Sequence, residues 1–179
     1  MPEGTFARAV EDLVKCGYIV EYKRGYTKGN PTFLQLTDSF LLFHYHFMAK
    51  ENRFESYGEL TGNEGMFSNW RGQAFELMCF RHILQLKKAL GISGVKTKEF
   101  SWVSQGKDNG AQIDLVIERD DGITNLCEMK CTDKPFAITK DYELNLLNKR
   151  DTYKAETNAK QALRIVLVSA DGMAGVAHT

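Results

Sequence analysis

The fold of this chain is decided by residues 111–130, AQIDLVIERDDGITNLCEMK. Two runs of alternating apolar and polar residues, 111–118 and 123–130, are typical of β-strands. Between them, Asp120-Asp121-Gly122 suits a three-residue hairpin loop, because the last position of such a loop is left-handed and favours glycine. The stretch therefore predicts an antiparallel hairpin with a tight turn.

The length of this loop determines which side chains meet across the hairpin. A three-residue loop pairs Arg119 with Ile123 and places Asp114 opposite Glu128. A five-residue loop shifts the pairing by two residues and keeps both carboxylates on one face, whereas a two- or four-residue loop without a bulge puts them on opposite faces. The turn residues favour the arrangement in which the two carboxylates oppose each other.

Charged residues inside apolar strands are unusual, and Asp114, Glu128 and Lys130 all occur there. Two neighbouring carboxylates repel each other unless a cation or a proton lies between them. With the backbone carbonyl of Met129 they suit Mg²⁺, a hard ion that keeps several water ligands. Such an ion favours phosphodiester hydrolysis, in which Lys130 would stabilise the transition state. The alternative interpretation is an ordinary surface Glu–Lys pair, which is common and contributes little.

The segments around the hairpin complete an α/β pattern. Residues 70–90 predict a long helix on which Glu76 interrupts an apolar stripe, either as a functional acid or as an edge residue that reaches solvent. Residues 100–103 predict a short strand, and residues 139–163 contain a charged amphipathic helix. The nearly all-apolar run 163–170 predicts a strand covered on both faces.

The amino-terminal part predicts a separate, smaller unit. A helix at 6–16, a left-handed Gly17 and strands at 18–23 and 32–36 resemble the second half of a winged helix. Because the two helices that should precede it are missing, the chain looks cut from a longer protein. The next helix is capped by Thr37 or Asp38. We divide the chain into a partial winged helix with its connecting helix (1–54), a glycine-containing linker (55–69) and a larger domain (70–179).

Composition excludes several classes of protein. The chain has 179 residues, a net charge of zero and 43% hydrophobic residues, which is typical of a globular protein and not of one that coats nucleic acid by bulk charge. Residues 1–10 have neither the basic start nor the apolar stretch that is typical of a signal peptide, and no apolar run approaches membrane-spanning length. Four cysteines follow no zinc-like spacing and predict reduced thiols. We therefore expect a cytoplasmic protein with no membrane partner.

The order of these features resembles the core of the PD-(D/E)XK nuclease superfamily, an α-β-β-β-α-β arrangement that here covers roughly residues 70–170. More narrowly, the sequence is similar to the C-terminal domain of uncharacterised prokaryotic AAA-type ATPases. In that family a P-loop ATPase module and a winged helix precede a nuclease-like domain. The similarity lies in the stretches LTDSFLLFHYHF (36–47), WRGQAFE (70–76), AQIDLVIERDD (111–121) and LCEMKCTDKPFAITKDY (126–142).

The resemblance implies a restriction-endonuclease-like fold, Mg²⁺ or Mn²⁺ as cofactor, and DNA and an N-terminal AAA-type ATPase module as partners. It also implies a set of catalytic residues and leaves homo-oligomerisation open. The proline that precedes the first aspartate in the superfamily is replaced by Ile113, and the chain lacks a Gly-Lys-Ser/Thr phosphate loop. The resemblance implies Glu76, Asp114, Glu128 and Lys130 as catalytic residues. From the residues themselves, we expect Asp114, Glu128 and the Met129 carbonyl as metal ligands, and Gln112, Lys140 and Lys149 as substrate contacts.

Three functional hypotheses follow. The leading one is Mg²⁺-dependent cleavage of DNA, gated by the ATPase module. The second retains the nuclease fold as a catalytically inactive module that binds DNA or regulates the ATPase. The third is a DNA-binding protein that uses its wing, where Lys23, Arg24 and Lys28 are suited to phosphate contacts.

Overall fold

The structure is a computed structural model that describes residues 3–23, 32–49, 64–105 and 110–174. The predicted wing turn with Arg24 and Lys28, and residues 55–63 of the predicted linker, lie outside the described residues. The chain divides into two compact units, Met1–Tyr22 with Thr32–Leu77 and Lys23–Pro31 with Met78–Thr179. Each unit is described by itself below.

The first unit begins with helix α1 (Glu3–Lys15), followed by a two-stranded sheet of β1 (Ile19–Lys23) and β2 (Thr32–Leu36). Gly17 ends the helix in the left-handed region with φ +74°, as its position predicts. Asp38 caps helix α2 (Ser39–Phe43), because its carboxylate accepts hydrogen bonds from the backbone N–H groups of Phe40 and Leu41. A π-helical segment, His44–Met48, continues α2. The predicted helix–ribbon–helix order is confirmed.

An aromatic cluster holds the beginning of helix α3 (Glu64–Arg81) in the first unit. Trp70 packs edge-on against Phe43 at 5.3 Å between ring centroids and stacks on Phe67 at 5.6 Å. Residues 64–69, which the sequence assigns to a linker, are therefore helical, and the boundary between the units falls after Leu77. The predicted single helix over 70–90 is also interrupted at His82, after which α4 (Ile83–Ala89) begins.

The second unit is built on a four-stranded mixed sheet in the order β3-β4-β5-β6. The first two pairings are antiparallel, and β5 and β6 are parallel. Helix α5 (Lys140–Thr157) connects the two parallel strands, as a parallel pair requires. The strands are β3 (Thr97–Val103), β4 (Gln112–Arg119), β5 (Ile123–Lys130) and β6 (Ala162–Ser169).

The core of this unit lies between the sheet and α5. Trp102 and Tyr153 are fully buried and meet edge to face at 5.2 Å, so both belong to the core. The same cluster contains Phe100, Ala111, Ile113, Val116 and Leu126. The sequence places Ile113 and Val116 on opposite faces of β4. They share a cluster because the pairing of β3 with β4 is irregular between them. Phe100 pairs with Val116 and Trp102 with Ile113, so two residues of β4 lie opposite a single residue of β3, as in a β-bulge.

Strand β6 differs from the expectation of a strand covered on both faces. Ala162 and Arg164 are exposed, and the other residues of the strand are half-buried. The physical reason is its place at one end of the sheet order among the described strands, where only β5 pairs with it. Among the described residues, no helix is both long enough and apolar enough to cross a bilayer.

Candidate active site

The hairpin that carries the candidate acids has the predicted geometry. β4 ends at Arg119 and β5 begins at Ile123, so the loop has three residues, and Gly122 is left-handed with φ +83°. The pairing runs from Glu118 opposite Thr124 to Leu115 opposite Cys127. The observed pairing ends there, and the same register continued by one position would place Asp114 opposite Glu128. The predicted three-residue loop and antiparallel hairpin are confirmed.

Beyond the pair Leu115–Cys127, the Asp114 side chain takes the place of a backbone carbonyl as the hydrogen-bond acceptor for β5. Asp114 Oδ2 accepts a hydrogen bond of 2.8 Å from the backbone N–H of Met129. Asp114 is only 9% exposed, and its other oxygen, Oδ1, accepts no hydrogen bond from the described residues. The Met129 side chain is buried. Asp114 thus binds the end of β5 with one oxygen and retains acceptor capacity on the other.

Glu128 is 5% exposed and is surrounded by three donors. The ammonium of Lys149 lies 2.6 Å from Oε2. On Oε1, the Tyr142 hydroxyl donates a hydrogen bond of 3.0 Å and Lys130 Nζ lies at 3.1 Å. The Lys130 ammonium also lies 5.4 Å from the centre of the Tyr142 ring, within the range of a cation–π contact. Both oxygens of this buried carboxylate are therefore compensated by groups of the chain itself.

The two carboxylates differ in their electrostatic environment. Burial, and next the charge of Glu128, raise the pKa of Asp114 above its usual range, although Met129 and the two lysines oppose this. Burial acts in the same direction on Glu128, but the hydrogen bond and charge of Lys149, together with Lys130, outweigh it and lower its pKa. Burial and Glu128 raise the pKa of Tyr142, which keeps its hydroxyl protonated as a donor. Glu128 is the more firmly ionised acid.

Helix α5 supplies the groups that face Glu128. Its first turn is fixed by Thr139, whose hydroxyl accepts a hydrogen bond of 3.2 Å from the backbone N–H of Tyr142. Tyr142, Leu146, Lys149 and Tyr153 follow each other at helical spacing and so lie on one face. Leu146 and Tyr153 are buried among the core residues. Because this apolar contact seats the helix on the sheet, the two polar side chains of the same face are directed at β5.

An open cleft of about 500 Å³ lies over this cluster. Its lining combines two lysines and two carboxylates with polar groups of the first two turns of α5, so it offers charged and hydrogen-bonding groups to a ligand. Asp114 does not line it. The lining residues are Glu128, Lys130, Thr139, Asp141, Tyr142, Asn145 and Lys149.

The structure brings together four of the predicted site residues. Asp114, Glu128, Lys130 and Lys149 belong to one cluster, as their hydrogen bonds and mutual electrostatic effects demonstrate. Gln112 and Lys140 are exposed and do not line the cleft. Glu76 is half-buried on α3, within the first unit. The role of Glu76 and the metal-ligand role of the Met129 carbonyl stay predictions.

Sequence reasoning missed two features of the site. It treated Lys149 as a contact to substrate, whereas its ammonium contacts Glu128, and it gave Tyr142 no role at the acids. A signal was present, because Lys149 follows Tyr142 by seven residues, which is two helical turns, and Leu146 between them marks the buried face. What the sequence did not show is which carboxylate this face would meet.

The two carboxylates have the oxygen donors that a hydrated divalent cation would use. Within the part of the chain that the structure describes, no group of three Asp, Glu, His or Cys side chains is placed to hold a metal ion. Mg²⁺ needs fewer protein ligands, since it is commonly held by one or two carboxylates and keeps several waters. Asp114 has an available oxygen and a raised pKa, which a nearby cation would reverse. Asp114 and Glu128 are the residues that would hold such an ion.

Comparisons with known proteins add little. No family model matches the chain, and a comparison with curated proteins finds no match. A comparison of structures finds the crystal structure of a protein of unknown function, AF1548, with a TM-score of 0.34 and 20% sequence identity. The match covers 49% of this chain and spans 47% of the length of that protein.

Proposed function

We propose that the second unit is a Mg²⁺-dependent nuclease domain that hydrolyses phosphodiester bonds in DNA. The observation that carries this proposal is the pair of buried carboxylates, Asp114 and Glu128, on neighbouring strands, with the Lys130 ammonium 3.1 Å from Glu128 beside an open cleft. Carboxylates are rarely buried without a charged partner, and buried acids with shifted pKa values beside a cleft are typical of a functional site.

Each side chain has a distinct role in this proposal. Asp114 and Glu128 hold the cation, which when bound lowers the pKa of a coordinated water and neutralises charge on the phosphate. Lys130 is about one-third exposed and lines the cleft, so its ammonium donates to the attacking water and to the phosphate oxygens as negative charge develops. Tyr142 keeps the Glu128 carboxylate oriented through its hydroxyl. Lys149 contributes positive charge at the base of the cleft.

The proposal extends to the architecture and the partners. The order of α3, the hairpin strands, α5 and β6 supports a restriction-endonuclease-like core. The helix and two-stranded ribbon of the first unit support the second half of a winged helix that follows an AAA-type ATPase module. In that arrangement the ATPase would control access of DNA to the cleft.

The test is cleavage of supercoiled plasmid DNA with Mg²⁺ or Mn²⁺ by the parent chain and by Asp114→Ala and Lys130→Ala variants. We expect each variant to lose cleavage by about a hundredfold or more, since each removes a metal ligand or the charge at the transition state. Lys154→Ala, an exposed position on the same helix, serves as the control and should cleave like the parent. Equal metal-dependent cleavage by all four proteins would contradict the proposal.

A second candidate function is a catalytically inactive nuclease-fold module that binds DNA or regulates the ATPase. It is favoured by one observation, the charge balance of the cluster, in which Lys130 and Lys149 neutralise two carboxylates without any added ion. Titration calorimetry with Mg²⁺ or Mn²⁺ separates the two functions. A catalytic site should bind at millimolar concentration or tighter, whereas an inactive module should bind neither ion and cleave no DNA.

A further inference from the structure

Lys149 occupies the position of a counter-ion at the candidate metal ligand. Its ammonium lies 2.6 Å from Glu128 Oε2, closer than the ammonium of Lys130 at 3.1 Å from Oε1, and it is the less exposed of the two. The Coulombic attraction within this pair is stronger than in a surface pair, because burial of both groups reduces screening by water. In the described structure Oε2 of Glu128 is therefore committed to Lys149.

The charge of the cluster points in the same direction. Asp114 and Glu128 contribute two negative charges, and Lys130 and Lys149 two positive ones, so the cluster is close to neutral as it stands. Adding a divalent ion beside two ammonium groups is opposed by repulsion in a poorly screened environment. Moving one ammonium away removes part of this repulsion and frees an oxygen of Glu128.

Lys149 has a place to move to. It lines the open cleft together with Asn145, which precedes it by one helical turn, and with Thr139 and Asp141 at the beginning of the same helix. Its side chain is long and its helix is seated by other residues, Leu146 and Tyr153, so a change of rotamer leaves the fold in place. An ammonium released into this cleft meets any anionic group bound there.

We infer that Lys149 is an internal counter-ion that competes with a divalent cation for Glu128, and that binding of the cation releases its ammonium into the cleft. The inference deepens the proposed function and rests on it, since it takes Glu128 as a ligand of the cation. Lys149 is a positioning residue in this scheme, because it holds Glu128 ordered and charge-balanced until the cation replaces it. The released ammonium then contributes to binding of the phosphodiester.

The first experiment measures Mn²⁺ affinity of the full chain from the electron paramagnetic resonance signal of the free ion, after treatment with chelator. We expect Lys149→Gln to bind Mn²⁺ at least about tenfold more tightly than the parent, because it removes a competing positive charge at hydrogen-bond distance. Lys149→Arg, which retains the charge, should bind as weakly as the parent. Lys154→Gln removes the same charge from an exposed position of α5 and should leave the affinity unchanged.

A second experiment uses the parent protein and does not depend on a variant folding. Lysines are acetylated briefly with an activated ester, with and without saturating Mn²⁺, and the modification of each is quantified by mass spectrometry. Since an ammonium held by a carboxylate reacts slowly, we expect acetylation of Lys149 to increase severalfold when Mn²⁺ is added, with no change at Lys154. Unchanged reactivity of Lys149 overturns the inference.

The affinity results are equally decisive. An affinity of Lys149→Gln equal to or below that of the parent, the same gain in Lys154→Gln, or no Mn²⁺ binding by any protein at millimolar concentration each overturns the inference. Failure of the proposed function is distinguished by the cleavage assay. Absent cleavage with the expected affinity changes leaves the counter-ion role standing in a metal-binding module, whereas cleavage with unchanged affinities refutes the counter-ion role alone.

Discussion

Replacing Asp114 by asparagine or by alanine separates its structural role from its charge. Both variants remove the negative charge of Asp114, which burial and the charge of Glu128 make less favourable by raising the pKa. Asparagine retains an oxygen that accepts the N–H of Met129, whereas alanine leaves this N–H without its 2.8 Å partner. A buried backbone donor without a partner costs about 1–3 kcal/mol. In the absence of metal, Asp114→Asn should therefore be more stable than Asp114→Ala by about 1–3 kcal/mol.

The sign of the pH dependence follows from the direction of the pKa shift. Because the pKa of Asp114 is raised in the folded protein, its favourable contribution is fully present below its unfolded pKa and is lost as the pH rises through the folded pKa. Asp114→Asn does not titrate at this position. Its stability relative to the parent should therefore increase from acidic to neutral pH, and the variant should be at least as stable as the parent at pH 7.5.

The assay is urea unfolding in chelator, followed by the fluorescence of Trp102 in a Trp70→Phe background so that the second unit is observed. Trp102 is fully buried, so its emission changes on unfolding. A difference in midpoint at constant slope gives the difference in free energy of unfolding. Equal stabilities of the asparagine and alanine variants would refute the role of Asp114 as acceptor for Met129. A pH-independent difference between Asp114→Asn and the parent would refute the electrostatic reasoning.

Three further predictions concern individual contacts. Tyr142→Phe removes the hydroxyl that donates to Glu128 but keeps the ring. In urea titrations it should lower the free energy of unfolding by about 0.5–1.5 kcal/mol. An unchanged free energy would mean that this hydrogen bond does not stabilise the fold. Gly122→Ala forces a side chain into the left-handed region and should lower the stability of the protein by about 1–2 kcal/mol. Gly72→Ala on helix α3 places its methyl group in open space and should raise the stability by up to about 1 kcal/mol. Thermal denaturation that reverses this order would contradict the turn assignment. Burial raises the pKa of Cys127 to about 12, so iodoacetamide at pH 8 should modify the exposed Cys16 and leave Cys127 unmodified, as mass spectrometry of the peptides would verify.

The sequence was most informative where local chemistry decides the structure. Asp120-Asp121-Gly122 specifies a loop length, and the loop length specifies the register that carries Asp114 toward Glu128. The cap at Asp38, one of the two positions that the sequence offered, marked a helix start in the same way, because a side-chain oxygen placed next to free N–H groups acts within a few residues. The element order of the second unit was predictable for this reason.

Contacts between distant segments could not be predicted in this way. Lys149 is 21 residues from Glu128, and only the seating of α5 on the sheet determines that the two meet. The extra residue in β4, which puts Ile113 and Val116 into one cluster, depends on pairing with β3 and leaves no local signal. The aromatic cluster likewise assigns residues 64–69 to a helix of the first unit, although their glycine content predicted a linker.

The sequence by itself determined the hairpin, its register and the three charged residues that it carries, because turn geometry and strand alternation act over a few neighbouring residues. Tertiary structure alone decided the state of those charges. It buried Glu128 beneath α5, gave it Lys149 and Tyr142 as partners and left Asp114 with a raised pKa, because charge stabilisation depends on the distance and burial of groups that folding brings together.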